Sequence, residues 1–144
     1  MNLHQEFLLN MDNFHPKPVI INEWEPIADV LSESFNWNGS KIDWNCLELH
    51  IEKPIDFKST QIEKEVEEFI KESGLYKFIN EGEIIYYVND SSLDFAVSLG
   101  SKIFLSFVIY VIDNIPQHHY FFDEGANWCF AITAEGYLDF GVKS

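Results

Sequence analysis

Arginine is missing from this chain altogether. Its nine basic residues are all lysines, set against 24 acids for a formal net charge of −15. Arginine is the usual fork for phosphate and for base edges, and a surface this acidic is repelled by nucleic acid and by anionic membranes. The charge balance therefore predicts no nucleic-acid partner, no membrane partner and attraction to basic proteins. Cysteine is scarce too: Cys46 and Cys129 lie far apart with no CxxC spacing, which reads as two reduced, partly buried thiols rather than a disulfide. No Gly-rich phosphate loop occurs. No apolar run reaches the ~20 residues of a membrane-spanning helix. The opening MNLHQEFLLNMDNF has acids and no basic n-region, so the expectation is a cytoplasmic protein without a secretory leader.

What is present is core-forming material. Hydrophobic residues make up 47% of the 144 residues and aromatics 16%, with 13 phenylalanines. That composition excludes disorder and suits a single globular domain over residues 1–144. The richest stretch runs from Lys102 to Val142. Within it Ile103–Ile112 is almost unbroken hydrophobic, and Ile115-Pro116 ends it. With little period-2 alternation and a length beyond the usual ~5–6-residue strand, it reads as a buried helix over Lys102–Asn114, capped by Ser101. Its β-branched content leaves a strand as the alternative. Beyond it, His119–Phe122, Asn127–Thr133 and Tyr137–Val142 read as strands, the last two joined by a tight turn at Ala134-Glu135-Gly136.

Earlier in the chain, residues 1–18 read as an extended lead-in, stiffened by His15-Pro16-Lys17-Pro18. Val19–Ile21 is a short strand candidate. Asn22 is placed to cap a helix over Glu23–Phe35, with Ile27, Val30, Leu31 and Phe35 on one face. Asn38-Gly39 signals a turn, and Ile42–Ile51 reads as an imperfectly alternating strand that ends before Pro54. TQIEKEVEEFIKESG reads as a helix over residues 60–73, opened by a Thr60/Glu63 capping box and stopped by Gly74. Its buried stripe is Ile62, Val66, Phe69 and Ile70. Glu83–Val88 and Leu93–Val97 complete the strands, on either side of a loop at residues 89–92. The mixed order predicts an α+β fold, a mainly antiparallel sheet with about three helices packed on it.

Chemistry is harder to find. His118-His119 with Asp123 and Glu124 offers ligand types, but adjacent strand residues point to opposite faces and do not converge on one ion. His4, His15 and His50 keep no fixed spacing to them. Cys129 has nothing electropositive beside it to favour a thiolate and reads as a core residue. These residues predict no catalytic group, no metal and no cofactor. Trp37 and Trp44, beside a polar turn among Asn, Asp and Lys, resemble interface anchors as much as core residues.

The tail brings a family into view. Pro116-Gln-His-His-Tyr120, Trp128-Cys-Phe130 and Glu135-Gly-Tyr-Leu-Asp-Phe-Gly141 resemble the C-terminal segment of small bacterial immunity proteins of polymorphic-toxin and contact-dependent growth-inhibition systems. The likeness covers about a third of the chain. It implies an intracellular, non-enzymatic protein, monomeric or weakly dimeric, that binds a cognate toxin, commonly a nuclease with a basic groove, and blocks it. Acidity, lack of arginine and lack of a cofactor motif agree with that implication. The expected toxin-binding surface joins Trp37, Asp43 and Trp44 to Glu67 and Glu68 of the helix at 60–73, with the Asp123-Glu124 loop next in line. Two other classes remain open: an acidic adaptor or nucleic-acid mimic acting on a host factor, and a small enzyme built on His118, His119, Asp123 and Cys129.

Overall fold

The apolar run after Lys102 is helical. In the computed structural model, which describes residues 1–79, 83–90 and 92–143 apart from the Cys46 side chain, a 3-10 turn at Ser101–Ile103 leads into a helix over Phe104–Asn114. This helix, α4, begins after the expected Ser101 cap and carries no side-chain cap of its own. Phe104, Phe107, Val108 and Val111 are buried on one side, the i, i+3, i+4, i+7 spacing of a helix laid on a sheet.

The sheet beneath it has seven strands. In chain order they are β1 (Val19–Ile21), β4 (Leu49–Pro54), β5 (Ile85–Asn89), β6 (Ala96–Leu99), β7 (His119–Asp123), β8 (Trp128–Thr133) and β9 (Tyr137–Val142); a separate hairpin holds β2 (Trp37–Asn38) and β3 (Lys41–Ile42). Across the sheet the order is β1-β6-β5-β7-β8-β9-β4, and every neighbouring pair is antiparallel. With α1 (Leu3–Asn10), α2 (Glu25–Ser34), α3 (Ile62–Glu72) and α4, the class is α+β, as the sequence predicts.

Both faces of the sheet are covered. On the first, Tyr87, Phe121, Phe130, Ile132, Leu138 and Phe140 meet α1, α3 and α4 in one core. Phe107 touches Tyr87 and Phe121 edge-on, with ring centroids 5.3 and 6.0 Å apart, and Phe69 of α3 stacks on Phe130 at 5.8 Å. On the second face Tyr120, Phe122, Cys129 and Ala131 lie beneath α2, the β2–β3 hairpin, Trp44 and Leu47. The central strands are therefore apolar on both sides, which explains why β8 reads as an unbroken hydrophobic run rather than an alternating one.

Several expected boundaries move. Residues 1–18 are not an extended lead-in throughout: Leu3–Asn10 is helical, opened by a capping box in which Asn2 and Gln5 exchange backbone-to-side-chain hydrogen bonds of 2.9 and 3.1 Å. Phe7 and Met11 are fully buried, Phe7 against Phe95, Phe107 and Tyr110. The expected non-helical entry at His15-Pro16-Lys17-Pro18 is kept, the chain being free of helix from Phe14 to Pro18. Helix α2 starts after Trp24 rather than at an Asn22 cap. Helix α3 starts after Gln61, and the Thr60/Glu63 box does not form; instead Ser59 Oγ accepts from the Gln61 amide at 3.1 Å. Gly74 does end α3, at φ +85°, a left-handed turn that glycine makes without strain. The strand expected over Ile42–Ile51 is broken. Asp43 accepts from the Asn45 amide at 3.1 Å and starts a 3-10 turn over Trp44–Cys46, so the edge strand β4 begins only at Leu49. Strands β5 and β6 run later than Glu83–Val88 and Leu93–Val97. Of the loop expected at residues 89–92, Ser91 lies outside the described residues, as does the Cys46 side chain.

Candidate functional site

The second face of the sheet gathers most of the polar chemistry, because the hairpin and the Trp44 turn roof it without filling it. Three contacts hold that roof. The Tyr120 hydroxyl donates to the Ser40 carbonyl at 2.6 Å. Lys41 pairs with Glu135 at 2.7 Å, which holds the Glu135 carboxyl below its usual range. Trp44 lies over Gly141, where a Cβ would come within 2.5 Å of the indole.

At the edge of the roof sit His50, half-buried, Glu52, exposed, and Asp139, buried. Strands β4 and β9 pair so that Glu52 faces Asp139 and His50 faces Gly141. Alternation along β4 sends His50 and Glu52 to the same side. His50 Nε2 lies 2.7 Å from Asp139 Oδ1, and the His50 ring stacks on Trp44 with centroids 4.8 Å apart and planes 1° from parallel. One ligand atom from each of the three residues lies within 4.8 Å of the others. Asp139 is only 3% exposed. Burial lifts its carboxyl to about 6, against the opposite pull of the His50 ring and with the neighbouring Glu52 adding to the rise. A cleft of about 230 Å³ opens beside it, between Lys41, Ile42 and Trp44 above and Thr133, Tyr137 and Asp139 below. Sequence reasoning set His50 aside for want of spacing to other histidines. The available signal was a His-x-Glu on a strand together with an aspartate inside the otherwise apolar strand Tyr137–Val142.

A larger groove, about 450 Å³, runs between α2, the hairpin and the β5–β6 connection. Its lining includes the aromatic residues Trp24, Trp37, Phe95 and Tyr120 and the acids Asp90 and Asp94. Asp94 is paired with His4 at 2.9 Å. Trp37 is half-buried, its indole N–H donating to the Ser32 carbonyl at 3.1 Å and its ring edge-on to Tyr120 at 5.5 Å. The remaining turns of α2 present Glu25, Asp29 and Glu33 to solvent, at the i, i+4, i+8 spacing that puts them in one row.

The expected toxin-binding residues do not form one surface. Trp37 and Trp44 belong to the second face, and Asp43 caps the turn beside them. Glu67 and Glu68 ride on α3, whose buried residues Val66 and Phe69 pack on the first face. The sheet separates the two groups, and Glu67 is paired with Lys71 at 3.6 Å. Asp123 accepts from the backbone and side-chain nitrogens of Asn127 at 2.7 and 3.0 Å and so shapes its own loop. Glu124 lies beside Pro26, Ile27 and Val30 of α2, which puts it on the same side as the groove.

The suspects for a small enzyme are likewise dispersed. His118 Nδ1 accepts from the Ala134 amide at 2.9 Å, while His119 turns into the first-face core beside Tyr87. The two rings have different partners, and His118 lies just before β7 rather than inside it. Cys129 is fully buried, and burial pushes its thiol well above the usual value, so it is a core residue.

Among the described residues, no helix is long and apolar enough to cross a membrane. Against protein-family models, curated proteins and solved structures, the chain finds no match.

Proposed function

We propose that this protein is an immunity-type inhibitor, a cytoplasmic, non-enzymatic protein that binds a basic toxin domain and occludes its substrate groove. The reading takes a nuclease as the toxin. It is carried by the groove beside α2, where aromatic walls and carboxylates stand together. Such a groove suits a lysine or arginine side chain of a partner, which gains ring faces for its charge and carboxylates for its hydrogen bonds. The α2 row strengthens the reading. Like charges at i, i+4 cost a helix roughly 0.2–0.5 kcal/mol per pair. Among the described residues no cation is ion-paired with Glu25, Asp29 or Glu33. Glu25, in the first turn, is favoured there by the helix dipole, but Asp29 and Glu33 lie beyond it, and a basic partner relieves their repulsion. The binding surface is thus the α2–hairpin side, with Trp37 and Glu124 retained from the sequence expectation and Glu67 and Glu68 left out.

Co-expression with whatever secreted-protein C-terminal domain is encoded next to its gene tests the proposal. The expected result is a complex that survives purification and protection of cells from the toxin. A chain that neither binds that domain nor protects against it overturns the proposal. Binding to a host factor instead supports the adaptor reading.

A further inference from the structure

We propose that His50, Glu52 and Asp139 form a binding site for one divalent transition-metal ion, with zinc the first choice. The site does not depend on the toxin-binding role, since it lies at the edge of the hairpin roof rather than in the α2 groove.

The sheet register makes the case first. Glu52 and Asp139 are directly opposed on β4 and β9, and like charges directly opposed across a strand pair destabilise it. Asp139 is also buried, and a buried carboxylate needs a counter-charge or a metal. The cation lining this cleft, Lys41, is committed to Glu135. His50 meets one oxygen of Asp139 at 2.7 Å, a single imidazole set against two opposed carboxyl groups. A divalent ion among the three answers both carboxylates at once.

Thr133 gives the second observation. It is 8% exposed, and its Oγ1 is buried with no hydrogen-bond partner. Thr133 lines the same cleft as Glu52 and Asp139. Buried hydroxyls are nearly always paired, and a water held by an ion at the carboxylates is a suitable partner. Three protein ligands and one water are the usual complement of an open zinc site.

Geometry and donor type narrow the ion. Donors around zinc at ~2.0–2.2 Å lie roughly 3.3 Å apart in a tetrahedron. The His50–Asp139 contact at 2.7 Å therefore has to open by a fraction of an ångström, and the stack on Trp44 keeps the imidazole plane aimed while it does. An imidazole among the ligands favours zinc or iron over Mg²⁺ and Ca²⁺, which take oxygen donors.

The test is calorimetric titration of the chelator-stripped full-length protein with ZnCl₂ and, separately, MgCl₂. Expected are one zinc per chain, a raised melting temperature with zinc, and no comparable uptake of magnesium. Glu52→Gln, an exposed change that leaves the fold intact, His50→Gln and Asp139→Asn are each expected to weaken zinc binding roughly ten- to a hundredfold. His4→Gln, which removes the exposed His4–Asp94 pair, is expected to leave it unchanged. Absence of zinc uptake overturns the proposal, as does affinity unaltered in Glu52→Gln or equal uptake of magnesium.

Discussion

The Tyr87 hydroxyl and His119 Nδ1 are hydrogen-bonded at 2.8 Å inside the first-face core, with Tyr87 fully buried and His119 3% exposed. The pair sits where β5 and β7 meet, so the histidine enters the core with a partner waiting on the next strand. Burial lowers the His119 imidazole from 6.5 to about 4; a backbone hydrogen bond to Ile115 works against that shift, and the His118 ring adds to it. A histidine with a depressed native pKa favours the folded state above its unfolded value. As pH falls from 6.5 toward 4, the unfolded chain takes up a proton that the native one refuses, and stability drops. Below about 4 this group costs nothing further. The full loss is roughly 3 kcal/mol. Urea denaturation at pH 7 and pH 4.5 checks it: His119→Gln is expected to be the less stable protein at pH 7, with a gap to wild type that narrows at pH 4.5. A gap that stays constant would show that His119 titrates normally.

Phe107 is the hub of the aromatic core, in ring contact with Phe7, Phe14, Tyr87 and Phe121. Replacing it by alanine is expected to cost about 3–5 kcal/mol, measured by equilibrium unfolding. A loss below about half a kcal/mol would mean that α4 does not pack as described, since even one buried methylene is worth more than that.

Gly141 leaves no room for a side chain. A Cβ there would stand 2.5 Å from the Trp44 ring and 2.7 Å from Leu47. Gly141→Ala is therefore expected to destabilise by about 1–3 kcal/mol, the usual cost of overpacking, and to lift Trp44 from the sheet and from His50. Tryptophan fluorescence together with thermal unfolding reads both effects. An unchanged spectrum and melting temperature would contradict the described seat of Trp44.

Binding kinetics against the cognate toxin at two salt concentrations separate the two faces. Asp29→Lys and Glu33→Lys are expected to slow association and flatten its salt dependence while leaving dissociation nearly unchanged. Glu67→Lys, on the far side of the sheet, is expected to do neither. The reverse pattern would move the interface to α3.

How legible this was depended on what each residue had to report. Helix α4 and strands β7–β9 announced themselves because their apolar runs are long and their burial is nearly complete. Gly74 was legible because a left-handed helix stop has one cheap residue. Helix α1 was hidden: a short helix held by one deeply buried phenylalanine shows little periodicity, and the capping box at Asn2 is a weak sign without it. The break at Asp43–Cys46 was hidden for a different reason. A single aspartate hydrogen bond redirects the chain, and nothing local separates it from a solvent-facing strand residue. The His50–Glu52–Asp139 cluster was illegible for a third. It exists only through the pairing of β4 with β9, and a sequence read along its length does not show which strands lie side by side. Glu67 and Glu68 were joined to Trp37 on composition alone, and the sheet between them could not be seen.

The strand order also dictates when this protein can fold. Strand β1 pairs with β6 and β4 pairs with β9, so the sheet strands of the first half find their partners only in the second. On the ribosome, β4 has no neighbour until Tyr137–Val142 has emerged, and Phe7 has no cover before Phe95 and Phe107. Such distant pairings make folding slow. The emerging chain therefore carries unpaired strand and uncovered aromatic surface through most of its synthesis, a period in which chaperones rather than its own contacts must keep it from aggregating.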